Sequence, residues 1–211
     1  MLQVCVVVQR ADIERNQIKF NGKRNSAETF GAAAATRRTL KQMMSAAQLA
    51  SGQQGLCTDV SELPSVIEGA SSSLDADYDL MQHRLGVGHF SEVRLALRRD
   101  TRQRVAVKVM AKCDAARVSR IQSEVVILRA CTRLDHPNLM QLYDVYESKA
   151  EVHLVCEMLP NGSLLDVLQR DGALPEAFAR VIVQQITSGL QALHANGIVH
   201  RDLKPENLLF G

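Results

Sequence analysis

The 211-residue sequence has no cysteine pair two residues apart, no surplus of either charge and no apolar run long enough to cross a membrane. Its five cysteines, at 5, 57, 113, 131 and 156, are scattered and odd in number. Zinc sites and redox dithiols pair cysteines at short spacing, so neither is indicated. The pattern fits reduced thiols in a cytosolic protein. The formal net charge of +2 argues against a dedicated nucleic-acid or membrane-surface role, because such partners require a concentrated basic face. The apolar opening, MLQVCVVV, is too short for a signal peptide or a membrane span and has no basic leader. A soluble, cytoplasmic protein with no nucleic-acid or membrane partner is the expectation.

What is present is ordinary globular material. Hydrophobic residues make up 46% and charged residues 23%, which leaves little room for wholesale disorder. The length allows one large domain, or a small one with a long extension. Two textures divide the chain. Residues 1–78 are rich in Ala, Ser, Gln and Gly and carry eight basic and eight acidic residues, so charge assigns them no partner. They read as a partly disordered or marginally helical extension. Ser26 to Ala50 could form one helix with Ser26 as its cap and Gly52 as its stop, and Gly69 to Asp77 (GASSSLDAD) reads as a linker.

From Tyr78 the pattern tightens. LMQHRLGVGHFSEVRLAL predicts two strands around a glycine turn, and QRVAVKVMAK a third. Ala115 to Thr132 has helical spacing, with Val118, Ile121, Val125 and Leu128 on one face. LMQLYDVYES and EVHLVCEML predict two more strands. Leu164 to Arg170 predicts a short helix, and Pro175 to Asn196 a long one stopped by Gly197. Strands first and helices second predict an α+β domain.

Three features carry chemistry. Leu85-Gly86-Val87-Gly88 begins a glycine turn of the kind that lets backbone N–H groups approach phosphates. Alone it would be an ordinary hairpin turn, and Ser91 stands where a third glycine would complete GxGxxG. Lys108 lies in an apolar strand 22 positions after Gly86, and Glu124 follows 16 positions later on the predicted helix. The third feature is the closing stretch, HRDLKPENLLFG, from His200 to Gly211. There Asp202 could orient and deprotonate a hydroxyl, Lys204 could neutralise charge on a transferring phosphoryl group, and Asn207 could hold a metal ion.

With these features in this order, residues 79–211 resemble a eukaryotic-type protein kinase domain. Lys204, two residues after Asp202, resembles the serine/threonine class. HPNLMQLYDVYES and GIVHRDLKPENLLF are most similar to the calcium/calmodulin-dependent group. The resemblance implies a protein kinase-like fold, an antiparallel β-sheet N-lobe with one major helix followed by an incomplete helical C-lobe. It divides the chain into the extension (1–78), N-lobe and hinge (79–160), and a partial C-lobe (161–211). It implies ATP and Mg2+ as cofactors and a protein substrate bearing Ser or Thr. It places Leu85, Gly86 and Gly88 on the nucleotide, and Lys108, paired with Glu124, on its phosphates. Val93, Ala106 and Leu209 would sandwich the adenine, and Glu157 to Leu159 would be the hinge, behind Cys156 as gatekeeper. Asp202, Lys204 and Asn207 would be catalytic, with Asn207 also on the metal. Leu128, Leu142 and His200 match side chains of the family's regulatory spine, and Arg201 would pair with a phosphorylated activation loop.

Departures shape the functional expectation. Ser163 stands where basic-directed members carry a glutamate, which argues against a simple arginine-directed specificity, although Glu206 is retained. The 211 residues contain no Asp-Phe-Gly motif after Gly211's position and no activation loop. The sequence therefore reads as an ATP-dependent serine/threonine kinase, incomplete and inactive as an isolated chain, with a partner covering the partial C-lobe. The alternative is a non-catalytic nucleotide-binding or partner-docking half-kinase module. The helix from Pro175 carries Phe178, Val181, Ile182, Val183, Ile186, Leu190 and Leu193, too many apolar residues for a solvated helix.

Overall fold

Alternation of β-branched and other residues sets the first half of the fold. The computed structural model of the chain describes residues 3–7, 12–13, 67–71, 73–87 and 91–211. Its opening residues form two short strands, β1 (Val4–Val6) and β2 (Asp12–Ile13). Next come β3 (Tyr78–Val87), β4 (Ser91–Arg98), β5 (Arg104–Ala111), the helix α1 (Ala115–Arg133), β6 (Leu142–Glu147) and β7 (Glu151–Glu157). The five longer strands make one antiparallel sheet in the order β3-β4-β5-β7-β6. Successive strand residues face opposite sides. In β5, Val105, Val107 and Val109 therefore pack with Tyr78, Ala96, Tyr146 and Val155 on one side. Met110 packs on the other against Ile121, Val125 and Leu128 of α1. Ala106 and Lys108 share the face of Met110. The helix is capped by Asp114, whose side chain accepts the Arg117 N–H at 2.7 Å.

The second half is built from α2 (Leu164–Asp171), α3 (Glu176–Ala195), β8 (Ile198–Val199) and β9 (Leu208–Phe210). Ser163 and Asp166 form a reciprocal capping box at the start of α2. Pro175 sits just before α3, and Gly197 leaves it with φ of 73°, a conformation that glycine adopts without strain. β9 pairs with β1, and β8 with β2, both antiparallel.

Two expectations meet a different outcome, and a third falls outside the described residues. The Gly69 to Asp77 linker is in large part tied down. Ser71 donates its N–H to Val145 O and accepts that of Glu147, and Leu74 is buried in a 3-10 turn, Leu74–Ala76. The possible helix over Ser26 to Ala50 lies outside the described residues. The long helix is less bare than its composition suggests. Ile182 and Leu193 are buried, and Phe178, Ile186 and Leu190 pack on the same core, while Val181 and Val183 remain exposed. Part of the cover is β1: a Cβ at Gly189 would lie 3.3 Å from Val6 Cγ2 and 3.0 Å from Asn138 O. That close approach accounts for a glycine in mid-helix, where it costs roughly 0.5–1 kcal/mol against alanine.

One buried ion pair fastens the tied segment. Lys112 Nζ meets Glu147 Oε1 at 2.8 Å with both side chains almost fully buried, and Glu147 Oε2 accepts the N–H of Ile67 at 2.9 Å. Removing one partner strands the other charge. Lys112→Met is therefore expected to cost about 3–5 kcal/mol in urea unfolding. Lys112→Met/Glu147→Leu is expected to recover most of that, leaving about 1–3 kcal/mol for the orphaned Ile67 amide. Equal losses in the two variants would contradict this account.

Candidate active site

Register brings the sequence-predicted residues onto one face. Val93 is paired with Lys108, Lys108 with Leu154, and Ala106 with Leu95 and Cys156. Directly paired residues project to the same side of a sheet, so Val93, Ala106, Lys108 and Cys156 look the same way as α1. From that face Lys108 Nζ reaches Glu124 Oε1 at 2.5 Å. Both side chains are mostly enclosed, at 20% and 14% exposure, so the pair is shielded enough to matter without being sealed from a ligand. Gly86 stands in open space, where a Cβ would meet nothing within 4 Å, and its neighbours Leu85 and Val87 are exposed. Gly88 lies outside the described residues.

At the far end of β7 the chain leaves the sheet. Glu157 gives its N–H to Gln141 O at 2.9 Å, and burial pushes its carboxyl above the usual range. Leu159 is buried, and Leu209 is half-buried, its backbone bridged to Ser163. Cys156 is buried in the α1-facing core, and burial pushes its thiol up to about 12. It is a small neutral core residue, not a nucleophile.

The second cluster is the loop His200 to Asn207. Arg201 has φ of 61°, a strained backbone for a non-glycine residue. It turns the chain so that the Asp202 N–H meets His200 O at 2.9 Å and His200 Nδ1 at 3.2 Å. Asn207 Nδ2 donates to Asp202 O at 2.7 Å and to Oδ2 at 3.1 Å. Lys204 Nζ lies 3.1 Å from Asp202 Oδ2. Asp202, Lys204 and Asn207 therefore form one bonded unit, and with Nδ2 committed to Asp202 the amide oxygen of Asn207 is the atom it would offer a cation. Leu128 and Leu142 share a core cluster, whereas His200 lies outside it, held by Asp202 and by Val7 O at 2.8 Å.

Comparison with known proteins places this geometry. The protein kinase domain family model matches residues 80–211. The chain belongs to the protein kinase domain family. The kinase domain is 40% identical over 131 residues to human calcium/calmodulin-dependent protein kinase type 1B, covering 62% of this chain and 37% of that one. It is 40% identical over 143 residues to a probable myosin light chain kinase of Dictyostelium discoideum, covering 68% and 45%. It is 35% identical over 140 residues to calcium-dependent protein kinase 5 of Plasmodium berghei, covering 66% and 24%. Among solved structures it is similar to Rad53 in complex with AMP-PNP, with a TM-score of 0.55 and 32% identity, covering 63% of this chain and 34% of that one. The chain thus spans less than half the length of these relatives.

Sequence reasoning missed two features of the kinase domain. Ser163 is the N-cap of α2, hydrogen-bonded to Asp166, and the Ser-x-x-Asp spacing was the available signal. The partner of His200 is a backbone carbonyl 193 residues away, for which no local signal exists. Burial holds the His200 imidazole below its usual pKa, against weaker opposing effects of Val7 O and the Asp202 charge. Its Nδ1 accepts a backbone N–H, so Nε2 carries the proton and donates to Val7 O. A histidine held neutral favours the fold above the unfolded-state pKa of about 6.5, and that contribution is lost as pH falls below it. Wild-type stability should therefore drop below pH about 6.5 more steeply than that of His200→Gln, by up to about 1.4 kcal/mol per pH unit. Parallel stability curves in urea titrations would contradict the assignment.

Proposed function

We propose that these residues form the nucleotide site and catalytic loop of an ATP-dependent serine/threonine protein kinase. The observation that carries this reading is the Lys108–Glu124 pair on the same sheet face as Val93 and Ala106, in a chain that also binds Asp202, Lys204 and Asn207 into one unit. Glu124 would hold the ammonium of Lys108 where it meets the α- and β-phosphate oxygens. Leu85, Val93, Ala106 and Leu209 would enclose the adenine, with backbone groups of Glu157 to Leu159 at its edge. Asp202 would orient the Ser or Thr hydroxyl and take its proton as the oxygen bonds the γ-phosphorus. The bond to the bridging oxygen breaks and ADP leaves. Lys204 would offset charge on the transferring group, and such charge stabilisation supplies most of the catalysis in phosphoryl transfer. Asn207, whose Nδ2 is committed to Asp202, would hold Mg2+ through its amide oxygen; when bound, the ion would neutralise phosphate charge.

An acyl-phosphate derivative of ATP acylates an amine lying beside the phosphates, and so tests the nucleotide site directly. Lys108 should be the modified lysine, and excess ATP should protect it. Asp202→Asn should keep that labelling while lowering incorporation of γ-phosphate into Ser/Thr of a basic protein by at least about a hundredfold. Labelling indifferent to ATP would overturn the nucleotide site. Incorporation unchanged in Asp202→Asn would overturn the role of Asp202.

A further inference from the structure

The strand β1 is enclosed on every side. Val4, Cys5 and Val6 are fully buried and Val7 nearly so. One edge of β1 runs along β9, with Val4 opposite Phe210, Cys5 opposite Leu209 and Val6 opposite Leu208. Gly211 extends this ladder by donating to Gln3 O at 2.9 Å. The other edge is satisfied as well. Val4 N–H donates to Gln185 Oε1 at 2.7 Å, Val6 N–H to Asn138 O at 2.8 Å, and Asn138 Nδ2 to Val4 O at 2.8 Å. A segment bonded on both edges and buried on both faces is seated in a slot of matching shape and polarity.

The strand ends on the catalytic loop. Val7 donates its N–H to Asn207 O at 2.9 Å, and its carbonyl accepts from His200 Nε2 at 2.8 Å. Each of those residues also holds Asp202. His200 accepts the Asp202 N–H on Nδ1, and Asn207 donates to both Asp202 O and Oδ2. Two bonded paths from one residue thus converge on the same carboxylate residue, and they enter the loop at its two ends.

We infer that residues 3–7 are a positioning element for the catalytic loop, with Val7 as the backbone staple that fixes His200 and Asn207 around Asp202. The consequence for catalysis rests on the kinase reading above, whereas the conformational claim does not. The alternative is a strand that contributes only to general stability. The two differ in what happens to the His200 ring. With Val7 O in place, the ring is locked as the Nε2–H tautomer; without it, water competes and both tautomers are populated.

The test uses the full chain with 15N-labelled histidine. In the wild type, the His200 ring should show the Nε2–H tautomer, and the Val7 and Gly211 amides should exchange at least about a hundredfold more slowly than in an unstructured peptide. Val4→Asp/Val6→Asp should release the strand, mix the tautomers and abolish that protection. Val107→Ala, in the distant sheet core, should lower stability while leaving the ring signal unchanged. Should the double variant fail to fold, the wild-type exchange and ring spectra still decide the matter. An unprotected Val7 amide, a wild-type ring in mixed tautomers, or a ring signal unmoved in the double variant would overturn the inference. Lys108 labelling fails or succeeds independently of these signals, so loss of the kinase reading would be distinguishable.

Discussion

The ion pair of Lys108 with Glu124 is the contact on which the candidate nucleotide site depends. A lysine in the middle of an apolar strand is costly unless a carboxylate answers it. The answer comes from a helix that is on the sheet for its own reasons: Ile121, Val125 and Leu128 pack on Met110, Leu154 and Cys156. Apolar packing sets the distance between β5 and α1, and the pair then uses it. Because Ala106, Lys108 and Met110 share one face, the core, the cation and the residue proposed to face the adenine follow each other along a single strand.

The second half of the site has a different support. Its residues lie on a loop with little regular structure, held by hydrogen bonds to backbone and to one another. Asp202 is bonded to His200, Lys204 and Asn207, and His200 and Asn207 are in turn bonded to Val7 beside the short strand β1. Strain at Arg201 is tolerable because both ends of the loop are anchored. The two clusters thus rest on two kinds of order, one packed by side chains and one stitched largely by hydrogen bonds to the backbone.

Much of this was legible in the letters. Strands β3 to β7 and helices α1 to α3 followed from period-2 and period-3.6 patterning, with boundaries off by up to three residues, and Pro175 and Gly197 marked the limits of α3, whereas the caps Asp114 and Ser163 were not read. The meeting of Lys108 and Glu124 follows the order of the motifs, although only the register shows that Val93 and Ala106 share their face. What could not be read is long-range pairing. Residues 1–78 read as a partly disordered or marginally helical extension, and nothing in the short apolar run at Val4 names β9 as its partner, since a strand specifies its face and not its neighbour. The same holds for the segment around Ser71, whose small polar residues read as a linker. It is ordered by partners on β6 and by the Lys112–Glu147 pair, which are remote in sequence.

The most direct test of the central claim is a double-mutant cycle on nucleotide affinity. Lys108→Met, Glu124→Gln and the combined variant would each be titrated with a fluorescent ATP analogue. If Glu124 acts by orienting Lys108 toward the phosphates, each single change weakens binding and the double change adds little more, giving a coupling of at least about 1 kcal/mol. Effects that add to within about 0.3–0.5 kcal/mol, or affinities indifferent to either change, would contradict the assignment of this pair to the nucleotide site.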